Sequence, residues 1–138
     1  MGARLSKFGA WRIFNIVIAA VVVFVILYLT ILRRSPAEGS ATTFVPTFNL
    51  DKVFTRQGIF ESFCLNTLLF FPLGLCLPFA MPIKAKNKAL LTLACCLVIS
   101  FIIEFSQGAF ALGDFEIADL IANVAGAAFG SLSLLLSL

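Results

Sequence analysis

Histidine is absent from the 138-residue chain, and with it go the commonest general base and the commonest metal ligand. Charge is scarce: Asp, Glu, Lys and Arg make up 12% of the residues, about half the share of an ordinary soluble domain. The four cysteines, Cys64, Cys76, Cys95 and Cys96, form no CxxC pair and all lie in apolar stretches. They are expected to be small buried hydrophobes rather than metal ligands or disulfide partners. No HExxH or GxSxG pattern occurs, and neither does an internal repeat or a low-complexity segment. No polar tract is long enough to fold as a second, soluble domain. These absences remove the familiar zinc and serine-hydrolase machinery, and no cofactor or metal is expected.

What remains is oil. Hydrophobic residues reach 61% and the mean hydropathy is +1.07, more apolar surface than a soluble domain of this size can hide. The solvent is therefore lipid. The net charge of +3 does not point to nucleic acid, because the basic residues sit at the ends of apolar runs, where they orient a membrane protein.

Four spans are expected in one domain, residues 1–138, forming a compact all-α bundle. The first, about 13–32, is preceded by Arg4, Lys7 and Arg12 and followed by Arg33 and Arg34. It is longer than a signal-peptide core and lacks a small-residue cleavage motif, so an uncleaved helix is expected. Residues 33–59 form an outer loop, with "SPAEGSATTFVP" rich in Pro, Gly, Ser and Thr. Phe44, Phe48, Val53 and Phe54 suggest a short segment lying on the membrane interface. The second span, about 60–80, contains Pro72, which removes a hydrogen bond to the Leu68 carbonyl and should kink the helix. The third runs from about 89 to 107 and the fourth from 117 to 137.

Lysine and arginine in the flanks set the orientation. With the N-terminus in the cytoplasm, the inner side holds Arg4, Lys7, Arg12, Lys84, Lys86 and Lys88. The outer side holds Arg33, Arg34, Lys52 and Arg56, together with every acid except Glu104. Both termini are thus expected inside.

This topology gives meaning to the stretch "IIEFSQGAFALGDFEIADLIAN", residues 102–123. Glu104 lies roughly 24 Å along a helix axis from Lys88, near the outer edge of a hydrocarbon core about 30 Å thick. Asp119 and Asn123 enter from the same side, and Asn66 lies near the outer end of the second span. Glu104 and Gln107 share a helix face, as do Glu116, Asp119 and Asn123. Gly126 and Gly130 continue the second stripe and would let a neighbouring helix come close. A hairpin with a polar pocket formed by Asn66, Glu104, Gln107, Asp119 and Asn123 is expected at the outer surface.

"LNTLLFFPLG" (65–74), "IIEFSQ" (102–107) and "DLIANVAGAAFG" (119–130) resemble the VanZ family of small bacterial membrane proteins. The matching positions are Asn66, Phe70, Pro72 and Gly74, then Glu104 and Gln107, then Asp119, Asn123, Gly126 and Gly130. The likeness covers about residues 60–135, and "FVPTFNLDKVF" is loosely similar to a further family segment. Many relatives carry an Arg about six residues before the Asp, where this chain has Gly113 followed by Asp114. If that Arg balances the acidic pair, Arg56 or Arg34 of the outer loop must do so here. The founding member is associated with low-level resistance to the glycopeptide antibiotic teicoplanin. The resemblance therefore implies a multi-pass protein of the bacterial inner membrane with a role in the cell envelope, and supplies no reaction.

Three readings follow. In the first, the pocket binds an envelope lipid, an amphiphile or a glycopeptide-type ligand through amide, hydroxyl or ammonium groups. In the second, Glu104 and Asp119 act as an intramembrane acid–base pair on a lipid-linked substrate, the like-charge pair raising one pKa. In the third, the Gly126–Gly130 face docks another membrane protein or a second copy of the chain. Against all three stands a purely structural polar network between helices. Membrane lipid is a partner in every case, and nucleic acid in none.

Overall fold

The computed structural model describes residues 2–33, 57–82, 85–113 and 115–132. The expected interfacial segment at 44–54, Arg34, Lys52, Arg56, Lys84, Asp114 and the end of the fourth span lie outside the described residues. Those described form four helices: α1 (Gly2–Leu27), α2 (Gln57–Ala80), α3 (Ala85–Ala109) and α4 (Ile117–Ser131). A π-helical turn, Tyr28–Leu32, extends α1. Segments Gly9–Leu32, Phe60–Ala80 and Asn87–Ala109 are each long and apolar enough to cross a membrane, and Ile117–Ser131 is a shorter apolar helix.

Helix α1 begins eleven residues before the apolar run expected at 13. The preceding "GARLSKFGAW" holds good helix formers and no proline, so the helix propagates through it. Helix α2 is continuous from Gln57 through Pro72 and Pro78 to Ala80.

The distribution of side chains is inverted relative to a soluble protein. Large apolar residues such as Phe24, Leu68, Leu90, Val98 and Phe129 are exposed. Buried positions include Asn15, Thr30, Thr92, Ser100, Glu104, Gln107, Asn123 and Ser131. Lipid offers no hydrogen bonds, so these polar groups are gathered inside, where other helices can meet them. The cysteines divide likewise: Cys76 and Cys96 are buried, whereas Cys64 is exposed and Cys95 half-buried. The expectation of four buried thiols holds for two of them, because the outer face of a bundle in lipid rewards apolar character as the interior does.

The core gathers Ile26 from α1, Phe70 and Leu73 from α2, Cys96 and Ile103 from α3, and Ala127 from α4. The most extensive packing is between α2 and α4. Three glycines permit it. A Cβ on Gly126 would strike the Thr67 carbonyl, one on Gly74 the backbone of Ala127, and one on Gly130 the carbonyl of Phe71. Backbone therefore lies against backbone along this face, as small residues allow in membrane helix pairs. At the opposite end of α2, Arg12 Nε donates to the Ala80 carbonyl at 3.0 Å. That satisfies a terminal carbonyl and places a cation on the negative end of the helix dipole.

Candidate functional site

The turn between α3 and α4 is built from backbone hydrogen bonds. Phe110 N–H donates to the Ser106 carbonyl at 3.0 Å, and Leu112 N–H to that of Gln107 at 2.9 Å. Between them Ala111 adopts φ 57°, the left-handed conformation usually given to glycine. This pattern closes α3 as a Schellman-type cap and reverses the chain within a few residues. Phe115, buried beneath the turn, meets Phe101 edge-on at 6.0 Å, and Phe101 stacks with Phe105 at 6.2 Å. The hairpin is thus held by backbone caps on one side and by aromatic packing on the other.

Glu104 is 2% exposed, so its carboxylate is inside the bundle. Its Oε2 accepts from the backbone N–H of Glu116, the N-cap residue of α4, at 3.3 Å. A carboxylate there meets the positive end of the α4 dipole and an N–H that the helix cannot satisfy itself. Asp119, half-buried in the first turn of α4, gains from the same field. Glu104, Glu116 and Asp119 each have further interactions as well.

Gln107 reaches the other way. Its Nε2 donates to the Thr30 carbonyl at 3.1 Å. Thr30 lies in the π-helical turn that ends α1, where carbonyls run short of intrahelical donors. One turn inward from Glu104, Asn123 Nδ2 donates to Ser100 Oγ at 2.8 Å. That bond defines the antiparallel register of α3 and α4. Four residues outward from Ser100 is Glu104, and four outward from Asn123 is Asp119, so the two acids stand at one level.

The structure therefore brings Glu104, Gln107, Asp119 and Asn123 to one end of the bundle, joined to α1 through Thr30. Asn66, on α2, is half-buried and directly precedes Thr67, whose carbonyl lies against Gly126 of α4. Pro72 lies on α2 within the turn, Phe71 to Leu75, that meets Gly130, while Gly74, Gly126 and Gly130 form the α2–α4 contact itself. Gly113 is half-buried in the turn.

Ser100 and Thr92, both fully buried, belong to the same polar face and were not singled out from sequence. The signal was available: Thr92, Cys96, Ser100 and Glu104 recur every four residues, one stripe of a helix. Hydroxyls in apolar runs are easily passed over because they usually bond their own backbone.

Open grooves mark the apolar surface. One, of about 480 Å³, runs past Phe60, Phe63, Cys64, Phe71 and Phe129. Another, of about 270 Å³, lies between Val21, Val25, Leu65 and Pro72. Neither is lined by Glu104, Gln107, Asp119 or Asn123, so the acids are packed between helices and do not rim these grooves. Among the described residues no group of three or more His, Cys, Asp or Glu side chains is placed to hold a metal. Ser106, the hydroxyl beside Glu104 in sequence, donates to the Ile102 carbonyl at 2.7 Å.

No curated protein and no solved structure matches the chain. The model of the VanZ/LLP1 family does, over residues 13–138, which takes in α1 from Ile13 onward, the other three helices and the hairpin bearing the buried acid. The chain belongs to the VanZ/LLP1 family.

Proposed function

We propose that this cell-envelope membrane protein binds the polar head of an envelope lipid or amphiphile, including glycopeptide-type ligands, at the outer end of the α3–α4 hairpin. In this reading all four helices span the bacterial inner membrane, α2 bends at Pro72, and both termini face the cytoplasm. The observation that carries it is the buried Glu104 carboxylate, set level with Asp119 at the end of the bundle where α1, α3 and α4 meet. Ionisable groups at membrane depth are rare because each costs several kcal/mol, and they usually mark a site. Two carboxylates with Gln107 and Asn123 favour amide, hydroxyl or ammonium groups over phosphate.

The reading is tested with Glu104→Gln and Asp119→Asn. Both variants are expected to reach the membrane at normal levels and to lose a glycopeptide-susceptibility phenotype conferred by the parent chain. If both fail to accumulate, the acids serve folding and the ligand reading is wrong. Cysteine labelling checks the orientation: residue 114 is expected to react from outside and residue 86 not.

Two alternatives have less support. Docking through Gly126 and Gly130 needs a free glycine face, and α2 covers it. The acid–base reading keeps Glu104 and Asp119, but the Ser106 hydroxyl beside Glu104 in sequence is engaged with its own helix. Lipid mass spectrometry of deletion and overexpression strains would reveal a product if this reading were right.

A further inference from the structure

Helix α3 carries a heteroatom at every turn of its buried face: Thr92, Cys96, Ser100 and Glu104, each 2% exposed or less. Asn123 of α4 meets this face at Ser100. Among the described residues, two buried side-chain atoms lack a hydrogen-bond partner, Asn123 Oδ1 and Thr92 Oγ1. Both residues are buried, at 3% and 0% exposure.

Neither orphan is removed by a local adjustment. Turning the Asn123 amide over gives Ser100 the oxygen and strands the nitrogen, because one hydroxyl can serve only one end of the amide. Thr30, Thr67 and Ser106 each donate to the carbonyl four residues back, the usual refuge of a hydroxyl in an apolar helix. Thr92 does not, and its oxygen is left without a partner on the buried face of α3. An unpartnered polar atom inside an apolar bundle is what a buried water satisfies.

We infer that the buried polar face of α3 is an internal hydration site. One water bonds Asn123 beside Ser100, and another bonds Thr92. These waters extend the polar face inward from Glu104 by about 18 Å along α3, independently of what binds at the outer end. They give the buried carboxyl an exchangeable neighbour on its membrane side, one turn away.

The test is water-edited solid-state NMR of the full chain in phospholipid vesicles. Magnetisation from water is expected to reach the Asn123 and Thr92 side chains as fast as it reaches Gly113 in the turn. The lipid-facing side chain of Val98 supplies the slow reference. Transfer at the Val98 rate to either Asn123 or Thr92 overturns the inference. Thr92→Val, close in shape, gives a second measurement that does not depend on assigning Asn123. A dry orphan hydroxyl is a burden, so its removal would raise Tm; a hydroxyl that holds water leaves Tm lower when lost. A rise in Tm therefore also overturns the inference.

Discussion

Helix α4 is packed on two sides by opposite means. Toward α2 it presents Gly126 and Gly130, and the helices touch through their backbones. Toward α3 it presents Asn123 and its own N-terminus, and the contact runs through Ser100 and Glu104. The first face is close because side chains are missing; its strength is dispersion summed over many small contacts. The second is looser and polar; its strength lies in a few directional bonds that lipid cannot replace. A membrane helix with both is fixed in rotation as well as in position. The glycine face sets how near α4 stands, and the polar face sets which residues of α3 it meets.

The comparison is broken most severely on the glycine side. Gly126→Ala puts a methyl group into the Thr67 carbonyl and is expected to cost about 3 kcal/mol, as overpacking of a rigid contact does. Thermal unfolding in detergent should show a large fall, and Gly9→Ala, with open space around it, should show almost none. On the polar side, Glu104→Ala leaves the Glu116 N–H without its acceptor and should cost about 2 kcal/mol. Glu104→Gln, which keeps a carbonyl oxygen in place, is expected to recover at least half of that in the same assay.

Smaller effects sharpen the contrast. Ala111→Gly relieves a left-handed residue and is expected to stabilise the hairpin by about 1 kcal/mol; an unchanged or lower Tm would contradict the strain. A double-mutant cycle of Ser100→Ala and Asn123→Ala should yield a coupling of about 0.6 kcal/mol, typical of one interhelical bond in lipid. The same cycle between Ser100 and Gly126 should give none, since those positions serve different faces.

Much of the architecture could be read along the chain. Apolar runs long enough to span a bilayer marked α1, α2 and α3, and the start of the last helix at Ile117 followed from the polar hairpin before it. The likeness of three short motifs to the VanZ family stands in agreement with the family match over residues 13–138. Spacing showed that Glu104 and Gln107 share a face, but not that they reach in different directions, Glu104 to α4 and Gln107 to α1. Spacing also showed the glycine stripe without naming the helix against it.

By itself the sequence determined the solvent, the number of helices and the order in which polar residues follow one another, because these depend on composition and on the 3.6-residue period of one chain segment. Depth and partnership were decided only in the tertiary structure. Thr67 and Phe71 of α2 meet α4 because the glycine contact sets the register of the two helices. Ser100 is engaged because α4 brings Asn123 against that stripe of α3. Register between helices is a property of two surfaces at once, and no single stretch of chain contains it.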